Sequence, residues 1–380
     1  MHVPGIGGAW VILANLDGRT EGKTLGHNIY DDSGRILLRS GVTLTESYIQ
    51  RLRQKGYLSV YVQDELAPDL QLEESIDSET RVRGIALVKQ LGKSLALGRP
   101  VDVGKINGVV DMIVDDLKER PDGIVTLSSM KTVDDYTFEH SVNVCVLSAF
   151  LWWNIKGNGC DLFDLARGAL LHDIGKLSIP LEILLKPGPL TDEEYAEVKR
   201  HAQTGYNVVR EILPDSSASP LVAREHHERL DGSGYPGGIR GEELSPYGRI
   251  AAVADVYDAV TSDRVYRKKM FPHKAMQLID RMAGTELDPS VVGILMDRVT
   301  HYPTGSRLLL GGGEIGIVSA QDERSSRRPQ VRLLTDPEWN ILGIRERREI
   351  ALVDHEEIVI EDVLEEYPPE IKARWDGVPR

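Results

Sequence analysis

The stretch Ala169-Leu170-Leu171-His172-Asp173-Ile174-Gly175-Lys176-Leu177 sets a His and an Asp side by side in an apolar run that reads as a buried helix. A charge buried without a partner is costly, so the chain must fold in a way that supplies one. Neighbouring side chains on a helix point about 100° apart, so both groups can reach one cavity. Lys176 follows Asp173 by three residues and shares its helix face. A lone buried ion pair is the plain reading of such a dipeptide. A chemical site needs further ligands from the rest of the chain.

At 380 residues the chain is long enough for two or three domains. We expect a multi-domain protein: a central all-α bundle flanked by a small α+β N-terminal unit and a small all-β C-terminal unit. Residues 1–62 read as the α+β unit. It has strand-type runs at Trp10–Leu13 and Tyr57–Val62, a hairpin over Asn28–Leu38, and an amphipathic helix capped by Thr45. Residues 63–80 are acidic and read as a linker. Residues 81–300 carry the helical patterns, residues 301–366 alternate short β-type runs with turns, and residues 367–380 read as a loose tail. The short β unit is a candidate compact barrel, and its Glu323–Arg328 segment reads as a basic, solvated hairpin tip.

Histidines recur along the helical region. His140 falls with Val144 and Leu147 at i, i+4 and i+7, which places it on an inward stripe. Thr191-Asp192-Glu193-Glu194 is a capping box opening a helix that carries His201. A helix starting at Ser219-Pro220 is expected to end in Glu225-His226-His227-Glu228, followed by the glycine-rich loop Leu230–Gly238. Asp255 sits among small residues of another apolar helix. A single inward His is usually a satisfied core residue, and a His-His pair is often superficial.

Together, His140, His172, Asp173, His201, His226, His227 and Asp255 are five imidazoles and two carboxylates on facing helices of a bundle. The donor set suits iron, manganese or zinc, and the absence of thiolates disfavours a structural zinc. Cys145 and Cys160 have no zinc-type spacing. Seven ligands are too many for one tetrahedral ion but fit two, with Asp173 as the natural bridge. Such a pair activates a water for in-line displacement at phosphorus. A net charge of -14 argues against a nucleic-acid polymer as partner, and local cations would be needed to attract a phosphate ester.

The stretch from about 128 to 300 closely resembles the HD-GYP family of metal-dependent phosphodiesterases. The resemblance rests on YTFEHSVNV, LLHDIGKLSIP, Lys199-Arg200-His201, REHHERLDGSGYP and IAAVADVYDAVTSDRVYR, and the literal Gly234-Tyr235-Pro236 is the family's naming motif. It implies an HD-type bundle that hydrolyses cyclic di-GMP, a bacterial second messenger, to linear pGpG, and in many members of the family onward to GMP, through a binuclear metal-activated hydroxide. It implies two divalent metal ions per chain, Fe or Mn. His140, His172, Asp173 and Asp255 would hold one, and Asp173, His201, His226 and His227 the other. Asp173 and Lys176 would be catalytic, Lys176 facing the scissile phosphate. Arg264, Arg267 and Tyr235 would bind substrate, although Arg264 and Arg267 by themselves read only as a basic helix end. The Gly234-Tyr235-Pro236 loop would be a surface for recognition or for a signalling partner. Some family members carry a third metal supported by a Glu four residues before the first His. Tyr136 stands there in this chain, which favours two metals.

Three other readings stay open at this stage: a non-catalytic cyclic-dinucleotide receptor, an HD phosphohydrolase acting on another nucleotide, and a scaffold whose end units carry the contacts. No run approaches the ~18 uninterrupted apolar residues of a membrane span, and MHVPGIGGAW lacks a basic leader. The expected location is cytoplasmic, with a homodimer left open.

Overall fold

The computed structural model describes residues 12–16, 20–26, 28–30, 36–55, 57, 59–63, 67, 75–119, 136–156, 162–184, 186, 188–262 and 270–375. Near the N-terminus, β1 (Ile12–Asn15) pairs antiparallel with a later strand, and β2 (Ile29–Tyr30) pairs with β3 (Ile36–Leu38). Helix α1 (Glu46–Gln54) follows, with the Thr45 hydroxyl accepting the Tyr48 N–H, and β4 (Ser59–Val62) returns to β1. Leu25, Leu44, Ile49 and Val62 form a small core of their own.

The central body is helical. It runs through α2 (Ser78–Ala96), α3 (Val103–Lys118), α4 (Tyr136–Lys156), α5 (Leu162–Leu170), a 3-10 turn (Ile174–Ser178) and the short α6 (Leu181–Leu184). It continues with α7 (Asp192–Ile212), α8 (Ser219–Glu225), α9 (Pro246–Thr261), α10 (Pro272–Met282) and α11 (Pro289–Arg298). The capping box at Thr191 forms with both of its hydrogen bonds. One continuous core joins this body. Among the described residues, no helix is long and apolar enough to cross a membrane.

Helix α4 is the axis of the body. Rather than presenting one inward stripe, it is buried on every side from Glu139 to Trp152. A helix that is apolar all round belongs in the middle, and α2, α3, α5, α9 and α11 all pack against it. His140 therefore lies in the interior of the bundle.

Past α11 the chain forms one antiparallel sheet in the order β8-β7-β6-β5-β9, from β5 (Arg307–Leu310), β6 (Ile315–Asp322), β7 (Ser325–Leu333), β8 (Glu349–Ala351) and β9 (Ile360–Leu364). β8 and β9 are its edges, with no pairing between them among the described residues, so the sheet stays open instead of closing into a barrel. Ser325–Arg328 belong to β7 and are not a loose tip; Arg328 donates to the carbonyls of Leu352, His355 and Ile358. The segment expected to be a loose tail forms α12 (Pro369–Trp375). Its Ile371 is buried with Ile315, Ile317, Leu334 and Ala67, the last from the acidic segment. Single apolar residues in polar surroundings gave no periodic signal, but burial of one is enough to seat a short helix.

Candidate metal centre

The His-Asp pair does not lie within a helix. α5 ends at Leu170, His172 and Asp173 occupy a turn, and a 3-10 turn starts at Ile174. The cause is a close crossing with α7. A Cβ on Gly175 would lie 2.0 Å from the His201 carbonyl oxygen, so only glycine lets the two backbones meet there. In a 3-10 turn, residues three apart eclipse. Lys176 accordingly sits over Asp173 and donates to its Oδ2 at 2.5 Å. α8 likewise stops at Glu225, which leaves His226 and His227 in the turn after it.

These turns bring all seven of the expected ligands together. Ligand atoms of Asp173, His201, His226 and His227 lie within 4.8 Å of one another, as do those of His140, His172 and Asp255. Asp173 stands between the groups. Its Oδ2 is 3.4 Å from His172 Nε2 and 3.7 Å from His140 Nε2. Its Oδ1 is 3.5 Å from His201 Nε2 and 3.8 Å from His226 Nε2. His140 Nε2 lies 3.1 Å from Asp255 Oδ1. His227 borders both groups, with Nδ1 at 3.4 Å from Asp255 Oδ2.

The chain presets the imidazoles for ligation. His172, His201 and His226 donate Nδ1–H to the carbonyls of Ala169 (2.7 Å), Val198 (2.6 Å) and Val222 (3.2 Å). A carbonyl only accepts, so the proton is on Nδ1 and the Nε2 lone pair points into the centre. His140 is held differently: its Nδ1 donates to Asp258 Oδ2 at 2.7 Å, and Asn143 Nδ2 donates to Asp258 Oδ1 at 2.8 Å. Asp258 and Asn143 do not stand out in the sequence. The available signal was their spacing, three residues after Asp255 and His140, on faces that meet in the bundle.

Charge states follow from these surroundings. Burial, joined by the neighbouring imidazoles, holds His226 well below the ordinary histidine range. Burial lowers His201 too, and lowers His227 to about 3 against the pull of Asp255. Burial would raise Asp173 and Asp255, but Lys176 and His172 beside Asp173, and His140 beside Asp255, outweigh it and hold both well below the carboxylate range. For His140, burial is outweighed by Asp255 and Asp258, which push it up to about 9. Cation uptake would therefore release a proton from His140.

The residues fit divalent cations. His201 Nε2 and His226 Nε2 face each other at 3.2 Å, both neutral and both with lone pairs, which repel unless a cation lies between them and the carboxylate. Asp173 Oδ1 is buried and accepts no hydrogen bond among the described residues. A buried anionic oxygen aimed at two lone pairs is an arrangement that could hold a cation rather than a closed hydrogen-bond network.

Lys176 is 29% exposed and reaches Asp173 from the solvent side. Half-buried Tyr235 lies against His227 with ring centroids 4.8 Å apart and the planes inclined by 38°, and it meets the ring of exposed Tyr195 at 6.4 Å. Glu228 Oε1 accepts the Gly237 N–H at 2.6 Å and holds the Gly234-Tyr235-Pro236 loop against the centre. Arg264 and Arg267 lie outside the described residues.

A family model described as an HD domain matches residues 153–291. The chain is 33% identical over 325 residues to a protein named cyclic di-GMP phosphodiesterase from Pseudomonas aeruginosa, covering 78% of each chain. It is 35% identical over 178 residues to a protein named 3'3'-cGAMP-specific phosphodiesterase 3 from Vibrio cholerae, covering 45% of this chain and 38% of that protein. Among solved structures it is similar to an HDGYP protein from Bdellovibrio bacteriovorus, at TM-score 0.46 and 16% identity, over 75% of this chain and 98% of that one.

Proposed function

This chain belongs to the HD-GYP family of HD-domain phosphodiesterases, and from that premise we propose that it hydrolyses cyclic di-GMP to linear pGpG. The observation that carries the reading is the division of Asp173, whose two oxygens each face a separate pair of imidazole nitrogens. That division suits a carboxylate bridging two divalent cations, iron or manganese. One would be held with His140, His172 and Asp255, the other with His201, His226 and His227. Such a pair supplies Lewis acidity at phosphorus and a nucleophile at neutral pH.

The chain's own residues do the rest. The carbonyls of Ala169, Val198 and Val222 hold three imidazoles in the ligating tautomer. Lys176, partly exposed beside Asp173, meets the scissile phosphate, neutralises charge gained in the transition state and assists the leaving oxygen. Tyr235, propped on His227, offers an aromatic face to a purine at the mouth of the site. Arg264 and Arg267 are assigned to the substrate's phosphates or guanines by resemblance alone.

The test is cyclic di-GMP turnover with metal content measured on the same sample, for wild type and Asp173→Ala. Turnover with about two Fe or Mn per chain, lost together with the metals in the variant, supports the binuclear hydrolase. Full metal loading and tight binding of cyclic di-GMP without turnover would make the protein a receptor. Faster turnover of 3'3'-cGAMP in the same assay would move the substrate toward that of the Vibrio cholerae relative.

A further inference from the structure

A buried chain of hydrogen bonds leaves the centre through His140 and ends on a helix that the HD family match does not include. His140 Nδ1 donates to Asp258, Asn143 Nδ2 donates to the other Asp258 oxygen, and Arg81 Nη1 donates to Asn143 Oδ1 at 2.7 Å. All four side chains are at most 5% exposed. Arg81 is in the first turn of α2, while the family match begins at residue 153. An Arg buried in a helical core is expensive unless it is bonded, and part of that bonding is spent on orienting a single amide.

The orientation matters because an amide works in only one sense here. With Oδ1 accepting from Arg81, the Asn143 NH2 group faces Asp258. Asp258 is thereby held with its second oxygen on His140 Nδ1, which aims His140 Nε2 at Asp255 and His172. Were the amide to turn over, its oxygen would face the Asp258 carboxylate and repel it. The α2 backbone is held at the required distance by Gly84, one turn beyond Arg81. A Cβ there would come within 2.9 Å of Val142 Cγ2, next to Asn143 on α4. α2 also touches the other side of the centre: Leu177, adjacent to Lys176, packs on Gly92.

We propose that Arg81 is a positioning residue for the metal centre, acting through Asn143 and Asp258 on His140, so that α2 sets the cation affinity of the His140-His172-Asp255 site. This rests on the two-cation reading above. Ligand-orienting partners of this kind change metal affinity by about 10- to 100-fold.

The experiment titrates metal-depleted full-length protein with Mn(II) for wild type, Arg81→Met, Arg81→Lys and Asn143→Asp. Asn143→Asp keeps an acceptor for Arg81 but loses the donor to Asp258, so it cuts the chain nearer to His140. The proposal expects one of two binding events to weaken by about 10- to 100-fold in Arg81→Met and Asn143→Asp, with the other within about twofold and Arg81→Lys in between. Imidazole NMR of metal-free protein gives a second reading, with the His140 signal assigned through His140→Gln. The His140 Nδ1–H should exchange with solvent at least about tenfold faster in Arg81→Met than in wild type, by the same loss of orientation. Unchanged binding and unchanged exchange in a variant that melts like wild type overturn the proposal. So does equal weakening of both events accompanied by a lower metal-free melting temperature, which marks a purely structural Arg81. If wild type binds no cation, the two-cation reading fails, and the exchange measurement still decides whether Arg81 positions His140.

Discussion

The helical centre and the C-terminal sheet both bury imidazoles and charged groups, but they complete them differently. In the sheet unit the chain supplies the partner: His301 meets the Met296 carbonyl at 3.1 Å, Arg328 donates to three carbonyls, and Arg307 donates to the Glu365 carbonyl at 2.8 Å. In the centre, Nε2 lone pairs face one another and Asp173 Oδ1 accepts nothing among the described residues. The lesson is that burial of polar groups is not itself a sign of function. What sets the helical centre apart is that its open atoms are ligand atoms of several His and Asp residues converging within 4.8 Å.

That contrast yields predictions of decreasing size. Asp173→Ala should strip both cations and reduce turnover to background, while Arg328→Ala leaves metal content unchanged; metal analysis beside turnover checks both. A chelator should lower the wild-type melting temperature, because a ligand at ~1,000 times its Kd stabilises by about 4 kcal/mol. The same chelator should leave the melting temperature of Asp173→Ala where it was. An equal chelator response in both proteins would break the comparison.

Lys176→Ala should keep both metals and reduce kcat by about 10²- to 10³-fold, as loss of one stabilising donor does. Next in size is Gly175→Ala. With backbone 2.0 Å from the new Cβ, it should cost about 3 kcal/mol in urea unfolding and disturb metal loading, since it separates the His172-Asp173 turn from His201.

The sheet unit should show a pH dependence that owes nothing to a cation. Burial lowers His301 to about 4 in the folded protein, against an ordinary histidine value of 6.5. Between those values the unfolded chain binds the proton and the folded one does not. Stability is therefore full above pH 6.5 and falls as pH drops toward 4, by up to about 3 kcal/mol. Urea unfolding at stepped pH should show this fall in wild type and a flatter profile in His301→Leu. Smallest of all, Arg324→Ala should leave the urea midpoint close to that of wild type, because Arg324 is 56% exposed where it pairs with Asp322 and Asp354 and solvent screens the pair.

The sequence alone determined the donor chemistry. Five imidazoles and two carboxylates on helical segments, with Lys176 beside them, each had a plain reading alone and pointed to a metal centre only as a set, and binary pattern together with helix signals such as the Thr191 box and Pro220 laid out the bundle. Those signals are local, written within one or two helical turns. Tertiary structure decided what depends on contacts between distant segments. Gly175 against His201 broke the expected helix into the turn that carries His172 and Asp173. Ile371 and Ala67, unremarkable in their own stretches, found each other on the sheet. Asp258, Asn143 and Arg81, each an ordinary polar residue on its own helix, became one hydrogen-bonded line only when α2, α4 and α9 packed. Ligand identity is a property of side chains and can be read in one dimension; ligand orientation is a property of the backbones that cross behind them, and those crossings exist only in the fold.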